Sequence, residues 1–322
     1  MKTITVVIPT YNEEENVCVI YDRLNKIFNR DLKNYQLEIL YIDNDSTDAT
    51  RIKICELAEK DKQVKAIFNA RNFGFTRSTY YGLTQARGDC AVLLFADMQD
   101  PPEVIPQMVH KWEEGNKIVV GIKNKSKESK LMYFIRSLYY RFVAKISEVE
   151  HIEQFDGFGL YDRSFVHILK NLNDPVPYLR GIVSEIGFQR AEIYYQQDIR
   201  KRGKTSFNFL KLYDVAMLGI TSYSKVFMRT ATFIGLGIGC LSMIIALYTF
   251  IKKLLFWNSF PIGMAAVSIG VFFLGGIQLF FIGIIGEYIS NINLRVMNRP
   301  LVIEEKRLNF EYEDGEETKS EI

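Results

Sequence analysis

The chain is poor in the side chains that carry most nucleophilic and metal chemistry. Three histidines in 322 residues leave little room for a histidine-based nucleophile relay or a zinc site. The four cysteines, Cys18, Cys55, Cys90 and Cys240, form no Cys-x-x-Cys pair. The first three lie in apolar or helical contexts and read as reduced core residues of a cytosolic domain. Net charge is only +2, too small to argue for nucleic acid as a partner. No Gly-x-Gly-x-x-Gly follows the first apolar run, which argues against a dinucleotide fold, and no P-loop occurs. No signal peptide is expected at Met1, because Ile4–Pro9 is too short for an h-region and lacks a cleavage site.

Charge is missing from two long stretches. Thr230–Ile251 holds none over 22 positions and Ile262–Gly286 none over 25. Each is long enough to cross a hydrocarbon core of about 30 Å as a helix. The alternative, two buried core helices, lacks a large apolar remainder to wrap them. Between the stretches lies a short turn with an interfacial Trp257, so the pair predicts a transmembrane hairpin with both flanks on one side. Lys225, Arg229, Arg295, Arg299, Lys306 and Arg307 outnumber Lys252 and Lys253, which puts both termini and the preceding domain in the cytoplasm of a multi-pass plasma-membrane protein. Gly235 and Gly239, with Gly275, Gly276 and Gly283, offer small-residue faces for helix packing, including packing between protomers of a homo-oligomer such as a tetramer.

Ahead of the hairpin, apolar runs alternate with amphipathic ones. Ile4–Pro9, Leu37–Asp43, Val64–Phe68 and Cys90–Phe95 read as strands; Glu14–Phe28, Thr47–Lys60 and Phe75–Ala86 read as helices. Such alternation predicts an α/β domain with a mostly parallel sheet. Residues 1–206 form this domain. Ser129–Val149 reads as a core helix or one lying on a membrane surface. Phe207–Leu218 reads as an interfacial or a buried packing helix, and 207–229 as the juxtamembrane segment. Residues 287–322 form a tail that is acidic and disordered beyond Phe310.

The strand ends gather the chemistry. The Cys90–Phe95 run stops at Asp97-Met98-Gln99-Asp100-Pro101-Pro102, and the double proline forbids continuation and presets a helix start. Asp97 and Gln99 thus lie at a strand's carboxyl end, where open α/β sheets bind ligands. Their oxygens suit Mg²⁺ or Mn²⁺ carried by a phosphorylated substrate, whereas Asp100 reads as a helix cap. Tyr11 and Glu13, after the first strand, are placed to hold a nucleobase and ribose; Glu13, Glu14 and Glu15 also complement a helix dipole. After the second strand, Asp45 or Ser46 reads as an N-cap, which leaves Asp43 for nucleotide contact.

Ile8-Pro9-Thr10-Tyr11-Asn12-Glu13-Glu14-Glu15-Asn16, Asp43-Asn44-Asp45-Ser46, Arg71-Asn72-Phe73-Gly74 and Asp97-Met98-Gln99-Asp100-Pro101-Pro102-Glu103 together resemble the family 2 glycosyltransferases. More narrowly they resemble the polyisoprenyl-phosphate type, over nearly the whole chain to about Glu305. The resemblance implies a GT-A, Rossmann-like domain, a divalent metal, and inverting transfer of one sugar from a nucleotide-sugar donor such as UDP-glucose. The implied acceptor is a polyprenyl (undecaprenyl) phosphate at the cytoplasmic membrane face. By motif, Pro9, Tyr11, Glu13, Asp43 and Arg71 would bind the nucleotide, and Asp97 with Gln99 the metal.

Several positions depart from the family pattern. Phe95 stands where Asp-x-Asp begins, and Asn44 where a second aspartate is usual. Lys123 replaces a phosphate-binding arginine. In Arg200-Lys201-Arg202-Gly203-Lys204-Thr205-Ser206, Ser206 occupies the place of a final lysine that Lys204 can replace as a point charge. The acidic catalytic position of many relatives falls on Gly157, beside Asp156, which leaves Asp97 and Asp156 as the catalytic candidates. A lipid monophosphate tolerates these losses, since it is already largely a dianion at neutral pH and needs positioning and charge neutralisation more than a base. Lys123, Arg180, Arg200, Arg202, Lys204 and Ser206 are the candidates for binding the phosphates and the acceptor. Attraction to anionic headgroups is the other role open to the 200–204 cluster. A glycosyltransferase acting on a glycolipid hydroxyl, which would need Asp156 as base, and a degenerate membrane scaffold are the competing readings.

Overall fold

The computed structural model describes residues 1–124, 152–172, 174–197, 264–297 and 299–310, with isolated positions between 233 and 255. They fall into two compact units, one built on a sheet and one containing a long helix.

The sheet unit opens with β1 (Lys2–Thr10), α1 (Val17–Asp31), β2 (Tyr35–Asp43), α2 (Thr50–Lys60), β3 (Val64–Asn69), α3 (Phe75–Gln85) and β4 (Cys90–Leu93). A 3-10 turn at Pro102–Val104 then leads into α4 (Ile105–Glu113) and β5 (Ile118–Asn124). It closes with β6 (Gly159–Asp162), α5 (Arg163–Leu172), α6 (Leu179–Glu185) and β7 (Arg190–Gln196). Among the described residues the strand order is β7-β5-β6-β4-β1-β2-β3, completed at the far edge by β8 (Glu304–Leu308). Strands β3, β2, β1 and β4 run parallel, β6 runs against both β4 and β5, and β7 runs parallel to β5.

The burial pattern explains the architecture. β1 and β2 are buried almost continuously, as central strands covered on both faces must be. Ile4, Val6 and Ile8 join one core with α1, α2 and α4, while Val7 joins the other with α3, α5 and α6. In α1, Val17, Ile20, Leu24, Ile27 and Phe28 are the buried residues, at helical spacing. Helix α3 packs so closely that a Cβ on Gly82 would lie 2.6 Å from Ile42 Cγ1 and 2.9 Å from Val7 Cγ1.

Several local expectations are revised. Helix α1 begins at Val17 with no acid in its first turn, so Glu13, Glu14 and Glu15 precede it. Glu14 instead accepts a hydrogen bond from the Ala49 amide at 2.9 Å, and Asn16 Nδ2 donates to Glu13 Oε2 at 2.6 Å. Helix α2 begins at Thr50, too late for Asp45 or Ser46 to cap it; Asp48 Oδ1 accepts from the Thr50 amide at 3.0 Å. β4 ends at Leu93, although the Leu94 amide still donates to the Val7 carbonyl at 3.0 Å. Asp100 caps nothing; the 3-10 turn starts after Pro101 without a side-chain cap. Cys18 is exposed, whereas Cys90 is buried.

The second unit contains α7 (Met264–Val296), which continues ten residues past Gly286, through Glu287 and Arg295. Among the described residues it supplies one stretch long and apolar enough to cross a membrane, Ile277–Val296. Most of Thr230–Ile251, all of Ser129–Val149 and Phe207–Leu218, and everything beyond Phe310 lie outside the described residues. Within the expected tail, Glu304–Leu308 is ordered structure: it pairs antiparallel with β3 as the sheet's edge strand.

Candidate active site

Parallel pairing puts the carboxyl ends of β1, β2, β3 and β4 on one edge of the sheet. Because β6 runs antiparallel, Gly159 at its start pairs with Leu93, which brings Asp156 and Gly157 to the same edge. Lys123 near the end of β5 pairs in register with Tyr195 of β7. One sheet edge thereby collects residues far apart in sequence.

Half of this edge is built around Asp43. Its side chain is fully buried. Oδ2 accepts from the Ser46 amide at 3.1 Å and lies 3.4 Å from Arg51 Nε, while Oδ1 has no hydrogen-bond partner. Burial raises the Asp43 pKa above the ordinary carboxylate value, against the opposing pull of Ser46 and Arg51. An orphaned, buried carboxylate oxygen is costly unless a ligand donor meets it. Asn44 ties the neighbouring loops together: its Oδ1 accepts from Asn69 Nδ2 at 3.1 Å and from the Phe73 amide at 3.0 Å, and its Nδ2 donates to Asn72 at 2.9 Å. Pro9 is half-buried at the end of β1 and Tyr11 is 42% exposed beyond it. Arg71 is exposed, its guanidinium 4.1 Å from the Phe73 ring centroid. The loop after β1 is fixed by Asn12, whose amide donates to Ser46 Oγ at 2.9 Å, and by the Glu13 amide, which donates to Thr50 Oγ1 at 2.8 Å.

The other half is a charged cluster. Lys123 is ion-paired with Asp156 and lies 3.8 Å from Asp100 Oδ1. Tyr195 donates its hydroxyl hydrogen to that same Asp100 oxygen. Burial, then the charge of Asp156, pushes the Asp100 pKa up to about 7. Burial alone would lower the Lys123 pKa, but Asp156 and Asp100 together raise it. Beside them, the Gln99 amide donates to Asp97 Oδ1 at 3.2 Å, and Gln197 Nε2 donates to Gln99 Oε1 at 3.2 Å. Asp97 adds to the negative charge felt by Lys123 and Asp100.

Backbone strain marks the same loops. Asn12, Asp45, Met98 and Gln154 have positive φ, from 56° to 67°. Asn and Asp tolerate this conformation; for Met98 and Gln154 it costs of order 1–3 kcal/mol. Met98 sits between Asp97 and Gln99, the two expected oxygen ligands. Gly157 has φ +119°, and a Cβ there would meet Leu93, Leu179 and Phe95 at 3.4–3.6 Å. The departure from an acid at this position is therefore also a backbone feature.

The sequence model of Glycosyl transferase family 2 matches residues 5–168. The chain belongs to that family. The SfII prophage-derived bactoprenol glucosyl transferase of Shigella flexneri is 35% identical over 94% of this chain and 97% of its own length. A prophage bactoprenol glucosyl transferase homolog of Escherichia coli K12 is 33% identical over 93% of this chain and 97% of its own length. The solved glucosyl-3-phosphoglycerate synthase of Mycobacterium tuberculosis is more distant: 17% identity over 68% of this chain and 76% of that one, with a TM-score of 0.46. This family 2 member is a glycosyltransferase with the expected mostly parallel α/β sheet.

Of the expected site residues, Pro9, Tyr11, Glu13, Asp43, Arg71, Asp97, Gln99, Lys123 and Asp156 share the carboxyl edge. Arg180 lies at the start of α6, next to Leu179, which packs near Gly157. Arg200, Arg202, Lys204 and Ser206 lie outside the described residues. Sequence reasoning passed over Arg51, Tyr195 and Gln197 and misread Asp100. Only sheet register could reveal Tyr195, whereas Asp100 carried a signal: an acid directly beside the Asp97–Gln99 pair.

Proposed function

We propose that this glycosyltransferase moves a single sugar, glucose or a close relative, from a nucleotide-diphosphate donor to a polyprenyl phosphate at a membrane surface. One observation carries the reading: 35% identity over 94% of the chain to a bactoprenol glucosyl transferase, a match long enough to take in both the sheet unit and the membrane-length helix.

The chemistry of this edge supports a nucleotide donor. Asp43 offers a buried oxygen, Oδ1, suited to a nucleobase N–H, Tyr11 an exposed ring on the loop after β1, and Glu13 a carboxylate for ribose hydroxyls. Arg71 is assigned to a phosphate, through a charge-assisted hydrogen bond.

Asp97 and Gln99 fit a small divalent cation, Mg²⁺ or Mn²⁺. Among the described residues no three His, Cys, Asp or Glu side chains form a cage. A cation that keeps its waters and binds donor phosphates needs only one or two protein oxygens, however. Bound there, it would neutralise the leaving diphosphate as a Lewis acid.

The chain's own residues do the rest. The acceptor phosphate is a dianion and attacks the anomeric carbon directly, with inversion and without a protein base. Lys123 holds Asp156 and Asp100, so the charged cluster orders this part of the edge. Arg180, Arg200, Arg202, Lys204 and Ser206 are assigned to the acceptor and diphosphate. Arg200→Ala tests that assignment: acceptor KM and turnover worsen while calorimetric nucleotide affinity is retained. Unchanged acceptor kinetics with weakened membrane association would make the cluster a headgroup anchor.

A further inference from the structure

Asp43 is held from behind, and the group that holds it reaches the chain's C-terminal strand. Arg51 of α2 lies 3.4 Å from Asp43 Oδ2 through Nε, and its Nη2 is ion-paired with Glu305 of β8. The guanidinium also sits 5.0 Å from the Phe68 ring centroid, over the strand between them. Ser46 and Arg51 both engage Oδ2, and Oδ1 is the oxygen left without a partner. A planar guanidinium bridges two carboxylates at angles set by its rigid fork; an ammonium is a point charge that imposes no such angles.

β8 is added to the sheet from beyond α7, through antiparallel pairing of Leu308 with Ala66, Arg307 with Ile67 and Lys306 with Phe68. It is anchored independently of Arg51. Tyr81 donates to Glu304 Oε1 at 2.6 Å, Arg307 pairs with Glu304 and donates to Gln85 at 2.9 Å, and Asn309 Nδ2 donates to the Ala58 and Val64 carbonyls at 2.6 and 2.8 Å. Glu305 is the one β8 side chain these contacts connect to Asp43.

We propose that Arg51 and Glu305 are positioning residues for the donor: the Glu305–Arg51–Asp43 relay fixes the Asp43 carboxylate so that Oδ1 stays free for the nucleoside. The strand that follows the membrane-length helix is thus a working part of the donor site. The proposal rests on the reading of Asp43 as the nucleoside contact.

The test uses the full-length protein in detergent, with UDP as calorimetric probe and steady-state donor kinetics beside it. Wild type binds UDP and Asp43→Ala does not. Arg51→Ala and Arg51→Lys each weaken UDP binding about tenfold, the scale of one lost hydrogen bond to a charged group. Glu305→Gln raises donor KM about two- to threefold, as expected for a partly exposed pair, and the effect shrinks at high salt. Its kcat is unchanged. Tyr81→Phe is the control: it loosens β8 elsewhere, lowers the melting temperature and leaves donor KM alone. If Asp43→Ala binds UDP as wild type does, the reading of Asp43 is wrong and the relay falls with it. If Asp43→Ala fails to bind but both Arg51 variants bind normally, or if Tyr81→Phe moves KM as far as Glu305→Gln, that reading stands and the relay is overturned.

Discussion

Lys123 and Asp156 form an ion pair at the edge of the sheet, with side-chain exposures of 16% and 22%. This pair changes the reading of both residues. The lysine that the family resemblance assigns to a phosphate already spends its charge on Asp156 and Asp100. The acid nearest the family's catalytic position is held by that lysine.

Removing one partner therefore strands charge. Lys123→Ala is expected to destabilise the protein by about 3 kcal/mol, the scale for breaking a largely buried pair. Adding Asp156→Asn should recover a substantial part of the loss. A double-mutant cycle in denaturant melts measures this coupling; additive single effects would mean the pair is incidental.

Asp97 is expected to be needed for turnover and not for folding. Asp97→Asn should lower transfer by at least about a hundredfold, the scale of losing one transition-state electrostatic contact. Circular dichroism and the melting temperature should stay near wild type. Activity that persists in the variant, and in wild type with EDTA, would remove the metal role from Asp97 and Gln99.

Asp156 separates the two acceptor chemistries. With a phosphate acceptor, Asp156→Asn should cost less than about tenfold in kcat, because no base is required. The wild-type pH–rate profile should then rise with the acceptor's second ionisation, near roughly pH 6. A loss of several orders of magnitude, together with transfer to a polyprenol hydroxyl, would favour the rival enzyme.

Asp43 should make nucleotide binding sensitive to acid at a higher pH than an ordinary aspartate would. Burial raises its pKa, so the ionised acceptor is lost early as pH falls. The sign for folding is opposite: the folded state holds this proton more tightly, so stability falls as pH rises from the ordinary carboxylate range through the raised value. Asp43→Asn should flatten both trends relative to wild type, measured by calorimetry and by melts across the acidic range. Parallel wild-type and variant profiles would show that Asp43 does not titrate as its burial implies.

The sequence made the parallel half of the fold legible because buried parallel strands read as unbroken apolar runs, as in Ile4–Pro9 and Leu37–Asp43. It also placed Asp43 at the end of its strand, whereas Asp97 lies four residues past Leu93, the last residue of β4. It failed where partners are distant in sequence. Asp100 looked like a cap because an acid before Pro101-Pro102 has a local use, yet its partners are Tyr195 and Lys123. Glu304–Leu308 is charged and only five residues long, so nothing local marked it as a strand. The exposed edge of β3 pairs with it, and edge pairing leaves little trace in hydropathy.

The most direct measurement is transfer itself. Purified full-length protein, in detergent with lipid, is incubated with a panel of radiolabelled nucleotide sugars, polyprenyl phosphate or polyprenol, and Mg²⁺ or Mn²⁺. The account predicts one labelled product, a sugar joined to the polyprenyl phosphate, formed from one donor of the panel and lost in Asp97→Asn. Label appearing only on the polyprenol, or donor binding without transfer to polyprenyl phosphate from any member of the panel, would contradict it.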